Sequence, residues 1–157
     1  MSAPFDRYKN EGKVPLGAPK TGDGTSRHGY GPEVFDQCGW HCAYCDRPLL
    51  ERYESWLDVS VDHVIPQSTP WHGAGKPWIR DIFNLVTCCR ACNEFLNQHI
   101  VRNPEPATVE EFTTLRDQVF AAKREKARKR HDQERVKFER LLEAERGQSK
   151  IPPSQTF

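Results

Sequence analysis

Apolar and polar positions alternate most clearly over Val59-Ser60-Val61-Asp62-His63-Val64-Ile65, and Pro66 follows. β-Branched residues at every second position predict a strand, placed at Leu57 to Asp62, that delivers an acid and an imidazole side by side. Pro66 has no N–H to donate and ends the pairing. Leu85-Val86-Thr87 predicts a second strand, and from Arg90 a helix with Phe95 and Leu96 on its apolar side runs to about His99. Upstream, Pro32 opens a short helix to Cys38, with Glu33 in its first turn, Gly39 at its stop, and Val34, Phe35 and Cys38 on one side. Downstream, Thr108 with Glu111 three residues on makes a capping box, and Val109, Phe112, Leu115 and Val119 form one apolar face. The next stretch, Lys123 to Arg135, has almost no apolar residue, and Phe138, Leu141 and Leu142 then restore a stripe.

Two stretches carry neither period. Residues 1–31 are rich in Gly, Pro, Lys and polar residues, and read as a passive tail whose basic residues could brush a phosphate backbone. Gln67 to Arg80 is a long connection holding Trp71, His72 and Trp78. Its tryptophans are expected to pack, with base stacking as the alternative, and His72 to be exposed.

The cysteines change the picture. Cys42-Ala43-Tyr44-Cys45 precedes the Asp62-His63 strand and Cys89-Arg90-Ala91-Cys92 follows the second strand. Each CxxC lets two thiolates converge on one tetrahedral ion, and in a reducing compartment such pairs favour metal over disulfides. Cys88 lacks the spacing to Cys92 and is expected to point into the core, with Cys38 as a small core hydrophobe. The interval from Cys45 to Cys89 is far wider than in an ordinary ribbon, because the Asp62-His63 strand and its loop are inserted between the two knuckles.

Together with Asn84 just before the second strand and Asn93 directly after Cys92, this order resembles the HNH endonuclease family with a zinc-ribbon frame. The resemblance covers roughly Cys42 to Asn97. It implies an α+β fold: a small ββα-metal (His-Me finger) core framed by a four-cysteine zinc ribbon, followed by a long C-terminal helix. It further implies that His63 is the general base and that Asp62 and Asn93 bind the catalytic divalent cation, Mg²⁺ or Mn²⁺. Asn84 would brace the loop that carries the histidine, and Cys42, Cys45, Cys89 and Cys92 would hold a structural Zn²⁺. Asn93 stands where the family often has histidine, as in an HNN subgroup. The family often has a lysine near the Leu96 position, for which Arg90 or Arg80 could substitute. Asn97 is expected to be a cap or surface residue.

With 157 residues, the chain has room for one domain and an extension. The division expected is a flexible segment over 1–31, the nuclease domain over 32–103 and a charged helical extension over 104–157. Composition is 36% hydrophobic and 29% charged, and the net charge of +1 does not by itself announce a polyanionic partner. No apolar run approaches a membrane span of ~18 residues and no secretory core is present, so a cytoplasmic protein is expected. The favoured function is a metal-dependent DNA endonuclease acting on double-stranded DNA. A zinc-dependent nucleic-acid-binding module and a protein-interaction adaptor are the alternatives, and the C-terminal helix is where a dimer or partner protein would attach. The basic cluster Lys123, Arg124, Lys126, Arg128, Lys129 and Arg130 reads either as the solvated face of a bridging helix or as a phosphate-tracking arm.

Overall fold

The alternating stretch becomes β1, Val59–His63, paired antiparallel with β2, Leu85–Cys89, with Val61 opposite Thr87, Asp62 opposite Val86 and His63 opposite Leu85. The computed structural model describes residues 31–69 and 82–148, so the expectations for the N-terminal segment and for Trp71, His72, Trp78 and Arg80 fall outside them. A first helix, α1 (Gly31–Gln37), precedes the cysteine knuckle, and a second, α2 (Tyr53–Leu57), follows it. β1 starts two residues later than expected because α2 takes Leu57 as its last residue. The Asp58 N–H closes that helix on the Glu54 and Ser55 carbonyls, and Arg47 holds the Asp58 carboxylate at 3.1 Å. β2 runs on to Cys89, which caps the next helix, α3 (Arg90–Leu96). That helix stops short of His99, with Asn97 as its C-cap and the His99 N–H turned back to the Leu96 carbonyl.

Every residue of β2 is buried because helices cover both faces of the hairpin. On one face lies α1: Val34 clusters with Leu85 and Val61, and the Thr87 hydroxyl donates to the Val34 carbonyl. Cys38 is buried as expected, and its Sγ accepts from the Thr87 N–H at 3.3 Å. On the other face, reached by Ser60, Asp62, Val86 and Cys88, lie α3 and the last helix, α4 (Val109–Gln148). Residues opposite each other across an antiparallel pair share a face, so the register alone puts Asp62 on the side of α3 and α4.

The first cysteine knuckle docks on β2 through the Ala43 N–H to the Thr87 carbonyl, 2.8 Å. It turns through Asp46, whose φ of 62° is left-handed, so that the Asp46 N–H returns to the Cys42 carbonyl and the Cys42 N–H to that of Arg47.

Helix α4 is 40 residues long, about 60 Å at 1.5 Å per residue. The Glu111 N–H reaches Thr108 Oγ1 at 3.1 Å, while the Glu111 carboxylate accepts from the Ala107 N–H, so the expected capping box closes one residue early. Phe112, Leu115, Val119 and Phe120 enter the same core cluster as the hairpin and the cysteines. The solvated reading of the stretch from Lys123 is corrected at Lys123 and Ala127, which are 1% and 0% exposed and continue the buried stripe at positions four apart. The apolar residues farther along do not pack against the described part of the domain: Val136, Phe138 and Leu141 are exposed. No helix among the described residues is long and apolar enough to cross a membrane.

Candidate metal centre and active site

The ligand atoms of Cys42, Cys45, Cys89 and Cys92 all lie within 4.8 Å of one another. Cys45 Sγ and Cys89 Sγ are 3.8 Å apart, close to the separation of about 3.8 Å required by a tetrahedron with Zn–S bonds of about 2.3 Å. All six cysteines are in the reduced form. The wide interval between the knuckles closes because β1 and β2 fold back as a hairpin, carrying Cys89 to Cys45. Cys89 also caps α3, its Sγ accepting from the Cys92 N–H at 3.5 Å. Mutual contact makes these thiols unequal. Hydrogen bonding with Cys42 holds Cys45 and Cys89 below the usual thiol range, whereas contact with Cys45 pushes Cys42 up and contact with Cys42 pushes Cys92 up. Four thiols so arranged fit a metal ion such as zinc, whose binding releases the remaining thiol protons. Cys88 stands apart as expected: burial first, and then the charge of Asp62, pushes its thiol well above the usual range.

His131 of α4 adds a contact to this centre, with Nε2 3.2 Å from Cys92 Sγ. Its ring packs edge-on against Phe95 of α3 at 5.2 Å. Nothing local in the sequence marks His131, which is 39 residues from Cys92.

The Asp62-His63 pair sits at the end of β1, with the two side chains on opposite faces of the hairpin. Behind it the chain turns, and Asn84 takes hold of that turn with both ends of its amide. Oδ1 accepts from the Ile65 N–H at 2.9 Å and Nδ2 donates to the Ile65 carbonyl at 3.0 Å, both buried. The Val64 N–H donates to the Asn84 carbonyl at 2.8 Å. Asn93, on the first turns of α3, donates from Nδ2 to Ser60 Oγ at 3.2 Å, which places it on the face of the hairpin that Asp62 shares. Gln67, four residues beyond His63, has its side-chain amide Nε2 2.9 Å from His63 Nε2, so one ring nitrogen is held by Gln67. Arg90 is exposed and paired with Glu94 at 3.0 Å, and Asn97 is an exposed cap, as expected of it.

Asp62 is far more engaged than its sequence neighbourhood implied. Tyr44, inside the first CxxC, donates its hydroxyl to Asp62 Oδ2 at 2.5 Å, and Lys123 Nζ lies 2.7 Å from the same oxygen. Lys123 also donates to the His63 carbonyl at 2.7 Å. Arg116, two turns earlier on α4, is buried with its guanidinium 3.2 Å over the Phe83 ring and donates to the Phe83 carbonyl at 2.7 Å. Thus α4 braces the end of β1 through Lys123 and the turn leading into β2 through Arg116. His99 is half-buried, and burial, then the charges of Lys123 and Lys126, hold its imidazole below the ordinary range.

A groove of about 1030 Å³ runs between α3 and α4. Its rim carries Lys126, Lys129 and Arg130, with Glu94 and Glu125 among them. Lys129 pairs with Glu125 and Arg130 with Glu134, so part of the basic cluster is neutralised along its own helix.

Residues 42–98 match the family model of the HNH endonucleases. The match spans a little over a third of the chain and includes the four cysteines, Asp62, His63, Asn84 and Asn93 but none of α4. No curated protein and no solved structure gives a significant match. An HNH domain points to a nuclease or nucleic-acid-binding role and to the use of a metal ion.

Proposed function

We propose that the protein is a metal-dependent DNA endonuclease that hydrolyses phosphodiester bonds in double-stranded DNA. The observation that carries this reading is the convergence of Asp62, His63, Asn84 and Asn93 on one hairpin, on a frame tied by four cysteines. Cys42, Cys45, Cys89 and Cys92 hold a structural Zn²⁺ whose four thiolates leave no position for water. Asp62 and the Asn93 side-chain carbonyl oxygen are the protein donors for a Mg²⁺ or Mn²⁺ ion, hard oxygen ligands of the kind these ions take. When bound, that ion supplies charge relief at the phosphate and the leaving oxygen.

His63 takes a proton from the attacking water as general base, a task suited to an imidazole that is neutral near pH 7. Gln67 orients the ring, and Asn84 fixes the turn that carries it. DNA lies along the hairpin end, with the basic rim of the α3–α4 groove tracking its backbone.

Asp62 already accepts from Lys123 and Tyr44, and this favours a second reading, a zinc-dependent nucleic-acid-binding module without catalysis. Incubation with supercoiled plasmid, with and without Mg²⁺ or Mn²⁺, separates the two. Metal-dependent nicking is expected, and His63→Ala should slow it about 10²–10⁴-fold while zinc content and DNA affinity persist. Full activity in His63→Ala removes the base assignment. Salt-dependent binding with no cleavage in any metal selects the second reading.

A further inference from the structure

Lys123 lies outside the HNH segment, yet it is 1% exposed and its ammonium is spent on the site. A lysine is almost never fully buried unless paired, so the position of its charge is a feature of the fold. Its two acceptors are Asp62 Oδ2 and the His63 carbonyl, each at 2.7 Å. The Tyr44 hydroxyl takes the same carboxylate oxygen, and the Tyr44 ring stacks on Phe120, one turn before Lys123, at 5.4 Å. Among the described residues both partners of this carboxylate therefore fall on Oδ2, and both are braced by α4. Neither of these two hydrogen bonds falls on Oδ1.

We propose that Lys123 is a positioning residue of the divalent-cation site. It fixes Asp62 so that a single oxygen, Oδ1, is presented to the cation. Its own positive charge weakens the hold of Asp62 on that cation, since a like charge within a few ångströms is repelled even at a high effective dielectric. Its second bond, to the His63 carbonyl, holds the end of β1 that aims the imidazole. Helix α4 is by this account part of the active centre. The inference rests on the reading of Asp62 as a cation ligand.

The test is Mn²⁺ binding to zinc-loaded, full-length protein, followed by calorimetry and by electron paramagnetic resonance, in wild type, Lys123→Met, Lys123→Gln, Lys123→Arg and Asp62→Asn. Lys123→Met and Lys123→Gln are expected to bind Mn²⁺ about tenfold more tightly, Lys123→Arg to stay near wild type, and Asp62→Asn to lose the site. Adding Asp62→Asn to Lys123→Met should abolish the gain, which shows that it runs through the carboxylate. With plasmid, Lys123→Met should nick more slowly at saturating Mn²⁺ although its metal midpoint is lower. A fall in rate proportional to the folded fraction, with an unmoved midpoint, is the mark of a merely structural lysine and overturns the inference.

In the wild-type protein the protected Lys123 ammonium resonance should shift with Mg²⁺ in step with binding, a readout that needs no variant to fold. Unchanged or weaker Mn²⁺ binding in folded Lys123→Met, or an ammonium signal indifferent to Mg²⁺, overturns the inference. Wild-type Mn²⁺ binding that ignores Asp62→Asn overturns it as well, together with the ligand assignment of Asp62. Mn²⁺ binding that depends on Asp62 and is tightened by Lys123→Met, in a protein that never nicks DNA, ends the nuclease reading and leaves this inference standing.

Discussion

Asn84 grips Ile65 by both of its backbone polar groups, at 2.9 Å and 3.0 Å, in the buried interior. In Asn84→Ala the Ile65 N–H and carbonyl lose these partners inside the core, at about 1–3 kcal/mol for each orphaned group. The expected result is a marked fall in melting temperature together with slower nicking, since the same turn carries His63. Asn84→Asp keeps the acceptor but sets a carboxylate against the Ile65 carbonyl, and should be no better than alanine. Thermal melts of zinc-loaded variants beside plasmid time courses check this.

His131 connects α4 to the cysteine centre through Cys92 Sγ at 3.2 Å. Partners of metal ligands commonly contribute 10–100-fold to metal affinity. His131→Phe keeps a ring against Phe95 but removes the nitrogen, and should weaken zinc binding by about that factor in competition with a chelator. Cys92→Ser should lose the metal and, with it, the fold, because binding at such sites contributes about 10–16 kcal/mol of apparent free energy. A zinc-free protein with native circular dichroism would contradict both expectations.

The α3–α4 groove offers Lys126, Lys129 and Arg130 to a phosphate backbone, whereas Lys123 is withdrawn from it. Changing the three rim residues to Gln should flatten the salt dependence of DNA binding, by up to about 0.9 in log–log slope for each phosphate no longer neutralised. The effect at Lys129 and Arg130 should be smaller, because Glu125 and Glu134 already compete for them. Fluorescence anisotropy across a salt series measures the slope, and an unaltered slope makes this helix face a spacer.

His99 has a folded-state pKa below its ordinary 6.5, from burial and from Lys123 and Lys126. The unfolded chain therefore binds more protons than the folded one once the pH drops below about 6.5. The contribution of His99 to stability is present above 6.5 and is lost as the pH falls through the lowered folded value. The wild type should accordingly lose more melting temperature between about pH 7 and pH 5 than His99→Gln does, the thiolate centre being common to both. Equal losses would remove His99 from the acid response.

The amino-acid sequence alone determined what depends on short spacing. Alternation places Asp62 and His63 at a strand end, the two CxxC pairs set four thiols, and Asn84 and Asn93 fall where a hairpin and a helix start bring them to the same hairpin. Each of these is encoded within a few residues of where it acts, so periodicity and motif order are enough to read it. The short helix α2 escaped that reading because five residues with mixed polarity hold no period. The tertiary structure alone decided the rest. Lys123 reads as one more charge in a solvated run, and only the seating of α4 against the hairpin puts its ammonium on a carboxylate 61 residues away. Burial of a charge depends on whether a partner stands opposite it, and the partners of Lys123 and His131 lie on elements far away in the chain. No local pattern of polar and apolar positions carries that information; the packing of one helix across two strands supplies it.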